Sequence, residues 1–415
     1  GWADVLPLFR RSEGNACGSD AWHGADGPLK VSDLVSPGPL SGAFIEAAVE
    51  AGFPRNADFN GATQEGVGLY QVYQHNGRRM DAGRAYLGDG RTRPNLAILA
   101  KTQALRVEFN DKRAIGVRVT GPDGERMIRA RREVILSAGA IASPHLLMLS
   151  GIGNPWHLAA HGIPVVHAAA EVGRNLQDHI DYTANQRVNA PGLLGFGPRA
   201  LLAALANLPA YRHGRGLLTS NVAEAGGFVC SGPEVTRPDL QFHFCTAIVD
   251  DHARRIHLST GIALHVCVLR PESRGEVRLV SPDPRRPPEI DPRFLTAPRD
   301  MALLVKGARL AHRILASPSL ARFGGKLLYG TGEEDDAGLR ALIRAHADTI
   351  YHPVGTCRMG ADAASVVDPA LRVRGVEGLR VADASIMPKL VSGNTQAPSA
   401  MIGEKAADLI SRSMA

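Results

Sequence analysis

The sequence predicts a mixed α/β chain in which a sheet fed by strand–turn–helix units is interrupted by a second domain built on an antiparallel sheet with helices. Three observations predict it. Glu133-Val-Ile-Leu-Ser-Ala-Gly139 is a short apolar run that ends in small residues and precedes a helical stretch, Pro144 to Leu149, stopped by Gly151. The last part of the chain repeats that order, with a strand at Leu379-Arg-Val-Ala-Asp383 and a helix from Gln396 to Ile410. Met401, Ile402, Ala406, Leu409 and Ile410 share one face of that helix. Between the two, strands are expected around Asp239 to Phe244 and Ile262 to Leu269, and helices around Met301 to Leu315 and Ala337 to Ala347.

Taken in order, residues 1–93 read as mixed, turn-rich structure with one helix near Gly42 to Ala51. Residues 94–180 open with expected strands at Asn95-Leu-Ala-Ile-Leu and Ala114-Ile-Gly-Val-Arg-Val. Their turns fall at Asn110-Asp111 and Gly121-Pro122-Asp123-Gly124. The small residues Ser137, Ala138 and Gly139 then end a buried strand. That grammar belongs to nucleotide-binding sheets, where a ligand approaches the backbone and side chains would obstruct it. Residues 181–350 form the second domain, entered through a Pro/Gly-rich stretch from Pro191 to Pro198, and residues 351–415 return to the first sheet. No internal repeat is visible.

Composition narrows the function. The chain has 415 residues, 44% hydrophobic and 21% charged, with a net charge of +6, which suits two globular domains. The arginines come as scattered doublets such as Arg78-Arg79 and Arg254-Arg255, not as the basic tract of a nucleic-acid surface. Their charge reads as solvation with mild attraction to an anionic membrane surface. Five cysteines without a CxxC pair argue against a disulfide framework or a zinc ribbon and for a reducing, cytoplasmic setting, peripheral at most to the inner face of a membrane. The longest apolar stretch, Ala200 to Tyr211, is broken by Asn207 and Pro209 and is too short to span a bilayer. The start, Gly1-Trp2-Ala3-Asp4, has neither an initiator Met nor a signal-peptide pattern.

A dinucleotide fold usually carries GxGxxG after its first strand. Only the relaxed match Gly195-Phe-Gly197-Pro-Arg-Ala200 occurs, in a loop that follows no strand. The first βαβ unit, about 30 residues or more, is therefore expected to lie outside this sequence. No GxSxG is present, which disfavours a serine hydrolase.

Three blocks carry the chemistry. They are Gly139-Ala-Ile-Ala-Ser143-Pro144 through Gly151-Ile-Gly153; Tyr351-His352-Pro353-Val-Gly355-Thr356-Cys-Arg-Met359-Gly360; and Val381-Ala-Asp383-Ala384-Ser385 with Gly393-Asn394-Thr395-Gln396. Together with Asp58-Phe-Asn-Gly61, Gly173-Arg-Asn175-Leu-Gln-Asp178-His179 and Pro271-Glu-Ser-Arg-Gly275, the ordered set resembles the glucose–methanol–choline oxidoreductases over essentially the whole chain. The resemblance implies a Rossmann-like FAD-binding domain, discontinuous in sequence and incomplete at its N-terminus, plus a substrate domain. It implies FAD as cofactor and oxidation of a primary alcohol to an aldehyde by hydride transfer, with a quinone or another electron acceptor downstream. It places His352 and Asn394 as the catalytic pair. Ala104, Ser137, Ala138, Gly139, Asp383, Ala384, Asn394, Thr395 and Gln396 are implied as cofactor contacts.

The residue types agree with that chemistry. Imidazole suits a proton acceptor because its pKa lies near operating pH, and a neighbouring amide can orient the same oxygen. A helix starting at Gln396 offers free N–H groups and a partial positive end to negative charge. Glu224 and His265 are expected at the substrate cavity, against the plainer readings of a loop carboxylate and a core histidine. His179 and Asp178 read as structural. A metal site at His352 and Cys357 lacks partner ligands at metal spacing. Rivals are a dioxygen-using oxidase, a lyase of the same family, and a chain that holds no FAD and is inactive.

Overall fold

Two adjacent apolar strands, Leu240–Cys245 and Gly261–Val268, build the centre of the largest sheet in the computed structural model, which describes residues 1–88 and 93–414. The chain divides into two units, one comprising 1–88, 179–270 and 297–350, the other 93–178, 271–296 and 351–414.

In the first unit the strands lie in the order Gly66–Leu69, Ala223–Val229, Leu240–Cys245, Gly261–Val268, Ile180–Arg187. Two short strands, Lys326–Leu327 and Asp348–Thr349, pair with the last of these, and every pairing is antiparallel. Because side chains alternate across a strand, Phe242 and Phe244 fall on one face with Leu264 and Val266. The helix Pro298–Ala316 packs there. A Cβ on Gly307 would stand 2.7 Å from Val266 Cγ2, so glycine permits that approach. Phe44, from the helix Pro39–Glu50, stacks on Phe244 with ring centres 4.8 Å apart. Each of these fully buried rings contributes roughly 1.5–3 kcal/mol. The opposite face carries Asp181, Thr183, Gln241, His243 and His265, which is an unusual density of polar groups for a shielded surface.

In the second unit Val134–Leu136 and Leu379–Val381 pair in parallel, each followed by a turn. The helix Gly139–Leu149 follows the first, and the helix Gln396–Met414 lies beyond the second. Leu136, Leu147, Val354, Val381, Ile402 and Ala406 share one core. A three-stranded meander, Gln103–Asn110, Arg113–Gly121 and Gly124–Arg129, turns at Asp111 and Gly124, both with positive φ. The stretch 271–296, read in sequence as part of 181–350, gives Gly275–Arg278 and Glu289–Asp291. The first of these pairs with Arg174–Leu176 and the second adds beside it, so both belong to this unit.

Two local expectations need correction. Asn95–Leu99 is not a strand. Ile98 and Leu99 are exposed, so its alternation has no face to bury. Residues 1–93 contain a second helix, Trp2–Ser12, which runs through Pro7 and buries Leu8 and Ser12 one turn apart. The stretch Ala200 to Tyr211, whose apolar run is interrupted by Asn207 and Pro209, lies in one helix from Pro198 to Arg212. The Asn207 side chain supports it by donating to Ala203 O and accepting from Leu217 N.

Candidate active site

The turn before His352 sets the site. Tyr351 adopts φ +68°, a left-handed conformation that a bulky residue rarely takes. It leaves Tyr351 exposed and His352 buried. The His352 main-chain N–H donates to Asp178 Oδ1 at 2.9 Å. Gln177 and Val354 then exchange main-chain hydrogen bonds at 3.0 and 2.9 Å. Gly355 must be glycine: its φ is +94°, and a Cβ would stand 2.6 Å from Asn175 O.

The segment Asn175–Asp178 therefore acts as a rail for the histidine loop, and it also reaches the stretch that carries Asn394. Gln177 Nε2 donates to Pro388 O at 3.2 Å, and its Oε1 accepts from Leu390 N at 3.2 Å. Beyond Leu390, Asn394 puts Nδ2 3.1 Å from His352 Nε2. If the amide donates there, the ring proton sits on Nδ1 and the Nε2 lone pair faces the amide. Burial pushes the His352 pKa down to about 4, so the imidazole is neutral at pH 7. Residue type alone predicts ionisation near neutrality; desolvation moves it lower.

The two parallel strands end in a shared turn. Ala382 N donates to Leu136 O at 2.8 Å. Asp383 Oδ2 accepts from Gly139 N at 2.9 Å and from Ser143 Oγ at 2.5 Å, while Oδ1 accepts from Ser385 N at 2.8 Å. Ser143 Oγ in turn accepts from Ala138 N. Thr356 Oγ1 donates to Ala140 O, and Cys357 N to Ser385 O at 2.9 Å, so the histidine loop is tied to the same turn. Ser137 is exposed at the strand end, and Gly139, at φ +83°, has no atom within 4 Å of where a Cβ would stand. Thr395 is buried and Gln396 lies at the start of the last helix, whose first N–H groups have no partner within it. Ala384 O accepts from Gly355 N. Ala104 is half-buried in the meander and packs against the core.

Glu224 and His265 belong to the other unit. Glu224 Oε2 accepts from Gly38 N and Ser41 Oγ at 2.6 and 2.7 Å, and Oε1 from Ser220 Oγ, so it anchors the start of the helix Pro39–Glu50. His265 Nδ1 lies 2.6 Å from Asp181 Oδ2 and 2.9 Å from Thr183 Oγ1. Sequence reasoning missed the roles of Asn175, Gln177 and Ser143. Their stretches stand out in the sequence, but side-chain amides and hydroxyls that brace distant loops leave no spacing signal.

A GMC oxidoreductase family model matches residues 1–181 and a second GMC oxidoreductase model matches residues 271–403. An alcohol dehydrogenase [acceptor] of Pseudomonas putida is 46% identical over 99% of this chain and 76% of its own length. The chain belongs to the GMC oxidoreductase family. Human mitochondrial choline dehydrogenase is 43% identical, over 99% of the chain and 70% of that enzyme. Among solved structures, pyridoxine 4-oxidase from Mesorbium loti aligns with a TM-score of 0.85 at 30% identity, over 99% of this chain and 77% of that one. A formate oxidase aligns at 0.87 and 26% identity, over 99% and 78%. This GMC oxidoreductase therefore carries its paired His352 and Asn394 on a fold shared with flavoenzymes.

Proposed function

We propose that this GMC oxidoreductase oxidises a primary alcohol to an aldehyde with FAD, and that His352 takes the hydroxyl proton. The observation that carries the reading is the contact between Asn394 Nδ2 and the neutral, buried His352 Nε2. A base must have its lone pair free of a proton and within reach of the group it serves. Burial supplies the first condition, and the amide beside Nε2 supplies a donor for the same oxygen. Asn394 would orient the alcohol, and Asp178, through its bond to the His352 main chain, would hold the imidazole in place.

The residues present fit a flavin dinucleotide. The open, small-residue strand end at Ser137, Ala138 and Gly139 leaves room for close backbone approach. The start of the helix at Gln396 offers N–H groups without intrahelical partners to negative charge. FAD, when bound, supplies a two-electron acceptor. Ser137–Gly139, Ala384, Thr395 and Gln396 would hold it, with Ala104 as a further contact from the meander. Asp383 would act by fixing the Gly139 turn, since both its oxygens already accept hydrogen bonds.

For the substrate end, His265 is the stronger of the two candidates. Asp181 Oδ1 beside it is buried without a hydrogen-bond partner among the described residues, and a buried acceptor to spare favours a polar ligand group. Glu224 is fully engaged within its own unit. The electron acceptor after the flavin would be a quinone or another carrier; the name of the Pseudomonas putida relative specifies an acceptor without its chemistry.

The test is anaerobic mixing of FAD-loaded enzyme with a series of primary alcohols, following flavin absorbance. Bleaching with stoichiometric aldehyde supports the reading. Flavin that stays oxidised while the substrate is cleaved would establish the lyase chemistry instead, and rapid oxygen consumption after reduction would make the enzyme an oxidase.

A further inference from the structure

We propose that the helix Pro198–Arg212, with the arginines beside its C-terminal end, docks on the surface of an anionic phospholipid bilayer. A helix on a protein surface normally turns its apolar stripe inward. This one does the reverse. Its inward side presents Ala203, Asn207 and Ala210, with Asn207 Oδ1 bonded to Leu217 N. Its outward side presents Leu201, Leu202, Leu205 and Leu208, which are 61, 66, 52 and 44% exposed. Among the described side chains of the helix none is buried. Phe196 and Leu258, 53 and 83% exposed, extend the patch beyond its N-terminus, where a Cβ on Gly197 would stand 3.7 Å from Leu258 O. Scattered exposed leucines need no explanation, but a contiguous set marks a contact surface.

Charge identifies the occupant. At the C-terminal end the helix meets the hairpin formed by Gln74–His75 and Arg78–Arg79, where the Gly77 and Gly214 backbones touch. Arg78, Arg79, Arg84, Arg212 and His213 line an open cavity of about 480 Å³ there. Arg84 lies 3.6 Å from Asp81, whereas Arg78, Arg79 and Arg212 form no ion pair with the described residues. Leucines with arginines at one end match the interface of a bilayer, with acyl chains for the first and phosphates for the second. A second copy seated by the same patch would set its own Arg78, Arg79 and Arg212 against these arginines. The 15-residue helix is also too short to span a membrane, and no described helix is long and apolar enough to do so. The surface would therefore lie on the bilayer and not cross it. This inference is independent of the catalytic reading.

The test is co-sedimentation of the FAD-loaded enzyme with vesicles of mixed phosphatidylcholine and phosphatidylglycerol, and with phosphatidylcholine alone. Binding to the mixed vesicles that weakens with added salt is expected. The double change Arg78→Gln and Arg79→Gln should lower partition about 25-fold. Leu201→Gln with Leu205→Gln should lower it as well, with the melting temperature unchanged because none of these side chains is buried. Absence of binding to the anionic vesicles overturns the proposal, and so does full binding by the arginine variant. Leucine variants that bind vesicles normally but lose self-association in sedimentation would assign the patch to a second copy.

Discussion

His352 and His265 are both largely shielded from water, yet their surroundings move their pKa values in opposite directions. The His352 ring faces a carboxamide, the Asp178 carboxylate is taken up by the His352 main-chain N–H, and burial pushes the ring pKa down to about 4. Around His265 burial also works against the charged form, but the Asp181 carboxylate at 2.6 Å outweighs it and holds the pKa well above the usual imidazole value. The comparison shows that burial alone does not decide protonation; the partner does. It also separates roles. A histidine already protonated cannot accept the alcohol proton, so His265 is a poor substitute base, whereas His352 presents an unprotonated Nε2 to the Asn394 amide.

The sharpest way to break that contrast is to remove the proposed base. His352→Ala should slow anaerobic flavin reduction about 10²–10⁴-fold with FAD retained. The wild-type rate should be flat through neutrality and fall only as pH approaches 4, where His352 becomes protonated, and that acid limb should vanish in the variant. Near-normal rates with the acid limb intact would move the base elsewhere.

The second test uses stability. His265→Gln leaves Asp181 shielded without its ion-pair partner, which typically costs about 3–5 kcal/mol, to be read from denaturant unfolding at pH 7. The two histidines should also differ in the sign of their pH dependence. His352 has a folded pKa below the ordinary 6.5. Stability linked to it is unaffected above pH 6.5 and is lost progressively as pH falls from 6.5 towards 4, a change of about 3 kcal/mol. His265 has a raised pKa. Its contribution is complete below pH 6.5 and is lost as pH rises through that raised value. Identical acid profiles for wild type and His352→Gln would show that His352 is not held neutral.

The smallest effect is expected at Asn394. Asn394→Ala removes an orienting hydrogen bond but leaves the proton acceptor, so a loss of about tenfold in flavin reduction is expected. The acid limb should stay. A loss as large as that of His352→Ala would mean that the amide, and not the ring, carries the chemistry.

Much of this molecule is legible in its sequence. The strand ending in Ser137–Gly139, the return strand at Leu379 and the helix at Gln396 follow from apolar periodicity and small residues, which are local signals. His352 and Asn394 stand out because their blocks combine Pro, Gly and polar residues in an order that resembles a known family. The helix Trp2–Ser12 is hidden by Pro7, and the stretch Asn95–Leu99 reads as a strand because alternation does not report whether a partner strand exists.

The sequence by itself determined most of the element types and the presence of both a strand–turn–helix part and an antiparallel sheet, and it singled out the groups proposed for the chemistry. Only the tertiary structure decided their state. Gln177 reaches Pro388 and Leu390, just before Asn394, across 211 and 213 residues of sequence. Asp181 meets His265 across 84. Those contacts, and the removal of water around them, set which histidine is neutral and which is charged. Protonation is a property of surroundings brought together by folding, and no residue type or spacing encodes it locally.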